Sequence, residues 1–202
     1  KPIHLARRLV ANGDRVYATL GFNAPVTAMD AATGETVRTY HGTKHASEIV
    51  YRAGLLLVSV NQGSQDPGHV AEKPPVKKHI IAFDADTGNK LWETGDYVGV
   101  SSSWDDKERI TRLALAAGEK HVFFLDGDHV AALDLETGEE TWRAARPEHP
   151  PVKAQFGYYY PNLCALVYQD GVVLLAQTRP VKGHIPYTPV KTDLVALKST
   201  TG

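Results

Sequence analysis

The sequence is short of the residues that staple, wire or anchor a protein. Its 202 residues include one cysteine, Cys164, so no disulfide can form within the chain. Cys164 sits in an apolar run and reads as a small core residue. The longest apolar run, Gly54 to Val60, is strand-length and far from the ~18 residues of a membrane helix, so no membrane span is expected. Charge of one sign is missing too: 22 Lys and Arg face 23 Asp and Glu, for a net charge of -1. The largest basic clusters are the pairs Arg7-Arg8 and Lys77-Lys78. Nucleic-acid binding needs concentrated positive surface, so no nucleic-acid partner is expected. No GxSxG elbow, phosphate loop or dinucleotide fingerprint occurs. The chain starts at Lys1 with no signal-peptide pattern, and it reads as a processed or excised segment.

What is present is a repeat. Four segments align without gaps: VTAMDAATG (26–34), IIAFDADTG (80–88), VAALDLETG (130–138) and LVALKSTTG (194–202). Each ends in Thr-Gly, at Gly34, Gly88, Gly138 and Gly202, and Lys198 breaks the column of Asp30, Asp84 and Asp134. The glycines recur every roughly 50–65 residues, the size of a four-stranded propeller blade with insertions. Locally, an apolar strand meets a tight turn, glycine supplies its left-handed position, and Asp and Thr hydrogen-bond the turn backbone. A further strand follows: ETVRTY, NKLWET and EETWRA. Trp92 and Trp142 stand four residues after their glycines, where the first repeat has Arg38. Upstream of each segment lie two more strands joined by a short turn, such as SEIVYRAG and LLLVSV. The run TRLALAAG has some helical character, but its place in the repeat predicts a strand.

The pattern A-x-D-x-x-T-G-x-x-x-W resembles the tryptophan-docking repeat of the pyrroloquinoline-quinone-dehydrogenase-like propellers. That superfamily includes quinoprotein dehydrogenases and the non-catalytic outer-membrane assembly lipoprotein. The fold expected is therefore an all-β β-propeller of four-stranded antiparallel blades. About four blades are expected, at approximately 8–40, 48–94, 110–144 and 163–202, the last without its outer strand. The resemblance implies a ring of seven or eight blades, so the chain is expected to be about half a propeller completed by remaining blades; a self-closed ring of four blades, or a second copy making a ring of eight, are the alternatives. It also implies that Trp92 and Trp142 pack on the neighbouring blade, and a periplasmic or otherwise extracytoplasmic location.

Loop lengths point to where function sits. Turns between the first and second strands of each repeat are short, and those before the fourth are all of the Thr-Gly type. The long connections, 61–78, 95–109, 145–162 and 178–192, leave the same end of an antiparallel blade. Rigid scaffolds carry their function on such loops. The candidate binding residues are Asn61, Gln62, Asp66 and His69; Trp104, Asp105 and Arg109; Gln155, Tyr158, Tyr159 and Tyr160; and Arg179, His184 and Tyr187. Aromatics beside Arg and Asn suit recognition of a protein partner or a small ligand. Against this stands the plainer use of aromatics to anchor long loops.

Other candidates are weaker. Asp84 to Gly88 resembles the start of a calcium loop, but the position that should hold a bidentate Glu is Gly95, so a turn is expected. Nine histidines show no paired zinc spacing, so no metal site is expected. Catalytic members of the superfamily use a vicinal disulfide, a calcium ion and an Asp base beside the quinone, and a single cysteine rules out the first within this segment. The function expected is a non-catalytic scaffold for protein or ligand recognition, with no cofactor. The alternative is a segment of a quinoprotein dehydrogenase using pyrroloquinoline quinone with calcium, or a propeller appended to an enzyme domain elsewhere.

Overall fold

In the computed structural model, residues 7–21, 23–62, 77–101, 111–147, 164–180 and 190–202 are described. Among them the regular structure is β throughout. The first sheet is β1 (Leu9–Asn12), β2 (Arg15–Thr19), β3 (Val26–Asp30) and β4 (Thr36–Tyr40), in that spatial order. The second is β5 (Ala46–Arg52), β6 (Leu55–Asn61), β7 (Lys78–Asp84) and β8 (Lys90–Tyr97), again in order. A two-stranded ribbon follows, β9 (Val100–Ser101) with β10 (Thr111–Arg112). The third sheet is β11 (Ala116–Ala117), β12 (His121–Asp126), β13 (His129–Asp134) and β14 (Glu140–Ala145). The fourth has three strands, β15 (Cys164–Gln169), β16 (Val172–Pro180) and β17 (Val190–Lys198). Each pairing is antiparallel. These are four blades of a β-propeller.

The Thr-Gly turns are built alike. Asp84 Oδ1 accepts hydrogen bonds from the Asp86 and Thr87 backbone N–H groups (3.1 and 2.6 Å) and the Thr87 hydroxyl (2.7 Å). Asp30 and Asp134 do the same for Ala32 and Thr33, and for Glu136 and Thr137. These donors, the threonine N–H first, hold all three carboxyls below the usual carboxylate range. In the fourth turn Lys198 cannot accept in this way, yet Gly202 N–H still donates to Lys198 O (2.9 Å) at a φ of 83°. Glycine closes the turn even where the aspartate is lost.

Three apolar layers lie between successive blades. Tyr17, Val26, Ala28 and Tyr40 pack on Ile49, Leu56, Val58, Ile81 and Phe83. Leu57, Ile80, Ala82 and Trp92 pack on Leu113, Leu115, Val122 and Phe124. Phe123, Leu125, Val130 and Trp142 pack on Cys164, Leu166, Val173 and Leu175. The second and third sheets are covered on both faces. That is why LLLVSV and HVFFL are nearly continuous apolar runs rather than alternating ones. Each fully buried large side chain contributes about 1.5–3 kcal/mol.

At each junction a blade's outer strand reaches onto the next blade's turn. The Trp92 indole N–H donates to Leu135 O (3.0 Å), and its ring covers Gly138 so closely that a Cβ there would lie 2.7 Å from it. Trp142 donates to Ser199 O (2.9 Å) and covers Gly202. The first blade divides the task. Arg38 covers Gly88, while the Tyr40 hydroxyl two residues on donates to Ala85 O (2.5 Å).

One strand departs from the expectation. TRLALAAG does not form a continuous inner strand: β10 and β11 are separated by Leu113–Leu115, with Ala114 at a φ of 53°. The break lets Leu113 O accept from Leu125 N–H (2.6 Å) while Leu115 N–H turns to the Glu48 carboxylate of the second blade (3.4 Å).

Candidate functional site at the loop end of the second blade

β6 and β7 end together at Asn61 and Lys78, where their long connection begins and returns. Two polar groups lie here, on opposite faces of the sheet. Alternation dictates this: Asn61 and Lys78 share the face of Leu57 and Ile80, toward the third blade, while His79 pairs with Val60 on the face toward the first.

The group toward the third blade is buried. Lys78 is 0% exposed, and its ammonium donates to the Asn61 side-chain carbonyl. Burial lowers its pKa to about 8, with the Glu48 carboxylate acting in the opposite direction. Glu48, 2% exposed, is paired with Arg7 at 3.1 Å. The Arg7 guanidinium also donates to Leu115 O. Arg7 thus ties an inner strand of the second blade to the third, and gives a buried carboxylate the partner it needs. A β-bulge at Ser47 shapes β5 beside it, with Ser47 Oγ 3.1 Å from Ser59 Oγ. Bulges re-aim side chains in this way.

The other group is open to solvent. Asp96 accepts from the Gln62 amide (3.0 Å) and the Lys77 ammonium (3.1 Å), Lys77 first among the causes that hold its carboxyl low. Asp96 occupies a bulge against Lys78 and His79 with a φ of 72°, an uncommon conformation for a non-glycine residue. Gln62 also touches His79 Nε2. His79 lies over Gly95 and places Nδ1 3.1 Å from Glu93, which in turn pairs with Lys90 at 2.8 Å. The buried group clamps the base of the connection, and the exposed one presents donors and acceptors of both signs beside it.

Of the candidate residues, Asn61 and Gln62 fall here, adjacent in sequence and on opposite faces. Arg179 lies in β16 opposite Lys191. Asp66, His69, Trp104, Asp105, Arg109, Gln155, Tyr158, Tyr159, Tyr160, His184 and Tyr187 lie outside the described residues. Glu48, Lys78 and Arg7 were not among the candidates. The signal that could have found Glu48 is a charged residue in the apolar run SEIVY, at a position facing inward.

The fold and this end of it define a class: β-propeller blades of the quinone-dehydrogenase-like repeat. A family model described as outer membrane protein assembly factor BamB matches residues 76–202, more than half of the chain, and the chain belongs to that family. No curated protein matches. Among solved structures, the chain is similar to a quinohemoprotein alcohol dehydrogenase from Pseudomonas putida HK5 (TM-score 0.55, 16% identity), over 99% of this chain and 34% of that one. It is also similar to the N-terminal domain of Nup159 (0.51, 11% identity), over 96% and 45% of the two chains. The match to BamB from Moraxella catarrhalis covers 94% and 63%, with a TM-score of 0.35 and 14% identity. The chain therefore spans about a third of the dehydrogenase's length, and at these identities the likeness is one of fold. No helix among the described residues is long and apolar enough to cross a membrane.

Proposed function

We propose that the chain is a non-catalytic propeller segment that recognises a protein or a small ligand through the face bearing its long connections. The observation that carries this reading is the one-sidedness of the blades. At one end the first and second strands meet in tight turns such as Ala53–Gly54 and Asp170–Gly171, and the Asp-Thr-Gly turns are closed by their own hydrogen bonds. At the other end stand the long connections and the exposed Lys77, Gln62 and Asp96 network. The family description supports a protein partner and an extracytoplasmic setting.

The alternative, a segment of a quinoprotein dehydrogenase, has fold likeness behind it. With Cys164 as its one cysteine, the chain cannot by itself supply the vicinal disulfide that the resemblance implies for catalytic members, which favours the first reading.

A photo-crosslinking residue tests the reading. It is placed at Lys44 or Gln62 on the loop end, and at Asp14 or Glu136 on the turn end, in the cells that make the protein. Discrete adducts from the first pair alone are expected. Adducts from the second pair instead, or from none of the four, would sink the reading.

A further inference from the structure

The exposed group at the loop end of the second blade has a polarity that only one protonation state of His79 satisfies. A carboxylate stands at each end of it. Lys90 holds Glu93, and Lys77 holds Asp96, below the usual carboxylate range, so both stay ionised where a histidine titrates. Glu93 Oε1 lies 3.1 Å from His79 Nδ1, and an ionised carboxylate only accepts, so Nδ1 carries a proton. Asp96 Oδ1 lies 3.0 Å from Gln62 Nε2, which fixes the amide nitrogen rather than its oxygen on that side. The same nitrogen touches His79 Nε2. An amide nitrogen offers two N–H donors and no lone pair, so His79 Nε2 is the acceptor, the bare nitrogen of a neutral ring. Donation therefore runs from Gln62 to both Asp96 and His79, and from His79 on to Glu93.

The backbone pins these parts. Gln62 N–H donates to Lys77 O (2.7 Å), closing the root of the connection. The His79 ring lies on Gly95, where a Cβ would come within 2.7 Å of its Cγ, and Asp96 sits in its bulge at a φ of 72°. Other charges stand apart from the ring. Its register partner on β6 is the apolar Val60, and Lys78 is buried on the opposite face. Among the described residues, His41, Lys44 and His45, which lead into β5, make no ion pair with His79.

We infer that His79 is a proton-controlled latch on the root of the first long connection, closed while the ring is neutral and released when it gains a proton. Protonated, Nε2 becomes a donor that faces a donor. The Gln62 carboxamide then turns to offer its oxygen to the ring, and its nitrogen leaves the Asp96 carboxylate. The charged ring keeps Glu93 as its counter-charge, so the bond that is lost is the one between Gln62 and Asp96. Lys77 alone then holds Asp96, at the bulge where β8 leaves the blade. Use of this latch to regulate what the loop face binds rests on the function proposed above; the titration of the latch does not.

The test is nuclear magnetic resonance of the isotope-labelled chain, titrated between about pH 8 and about pH 5. At the alkaline end the His79 ring nitrogens should show Nδ1 protonated and Nε2 bare. As His79 titrates, the Gln62 carboxamide and the Asp96 carboxyl carbon should shift with its midpoint. Gln62→Met keeps the length of an exposed side chain without its amide. In that variant His79 still titrates, but the shift at Asp96 should fall by more than half. If the variant fails to fold, the parent titration decides alone. A proton on Nε2 at the alkaline end would overturn the inference, as would a Gln62 carboxamide that stays still while His79 titrates, or a ring that never titrates over that range. Equal Asp96 shifts in parent and variant would overturn it as well, because the ring's charge would then act through space rather than through the amide.

Discussion

Lys78 makes the pH dependence of stability a direct test of the buried group. An unfolded lysine titrates near 10.5, and burial brings Lys78 in the fold to about 8. Between those values the unfolded chain holds one more proton than the folded one, so stability rises with pH. Below about pH 8 the whole cost of burying the charge is present, and it is relieved as pH climbs toward the unfolded value. The slope is about 1.4 kcal/mol per pH unit for one proton, which gives about 2 kcal/mol between about pH 8 and pH 9.5. Lys78→Met removes the titrating group with little change of shape. Glu48 keeps Arg7 and the Leu115 N–H, so no buried carboxylate is stranded. Asn61 loses its donor, at about 1–3 kcal/mol, against about 3 kcal/mol of relieved charge burial. At pH 7 the variant should therefore fall within about 2 kcal/mol of the parent. The decisive quantity is the difference between the two as pH rises, from urea denaturation followed by tryptophan fluorescence. The parent should gain about 2 kcal/mol on the variant over that window. Tyr17, Tyr40 and Tyr97, all raised by burial, are common to both proteins and cancel. Parallel curves would refute the reasoning, because they would mean that Lys78 titrates alike in folded and unfolded chains.

The blade junctions and turns give further tests. Trp92→Ala should cost about 3–5 kcal/mol and Trp92→Phe clearly less, losing the bond to Leu135 O but keeping a ring over Gly138; denaturation midpoints at unchanged slope check the order. Gly34→Ala and Gly138→Ala share the cost of a left-handed alanine, about 1–2 kcal/mol, but only the second drives a methyl into Trp92, adding about 1–3 kcal/mol; equal midpoint shifts would contradict the junction geometry. Asp84 is held below the usual carboxylate range by Thr87 N–H, so its contribution is present above that range and fades as pH falls through the folded value. An Asp84→Ala variant should accordingly trail the parent at neutral pH and converge with it in acid, read from the same denaturation series.

The repeat made the blades legible because each turn has one backbone solution. A glycine at positive φ, closed by an aspartate and a threonine, leaves a column that survives even Lys198. The junctions were half legible. Trp92 and Trp142 announce themselves by spacing, but the first junction is shared between Arg38 and Tyr40, and no single column shows that two side chains perform one task. The inner strand of the third blade was misread for a related reason. Its place in the repeat does not reveal that Ala114 breaks the ladder so that Leu115 can donate to a carboxylate some seventy residues earlier. Glu48 and Lys78 were invisible as a pair. Both charges are tolerated in the interior only where Arg7, Asn61 and the Leu115 backbone converge on them, and that convergence is a product of three blades rather than of any one stretch of sequence. The consequence is physical. A polar group whose partners come from separate blades reports on the ring's assembly, whereas the turns report only on each blade. Losing Arg7 should therefore loosen the contact between the second and third blades while leaving every Asp-Thr-Gly turn intact. Amide exchange should show Leu115 gaining exchange before Thr87 or Thr137 does, and the opposite order would place the clamp within a blade rather than between two.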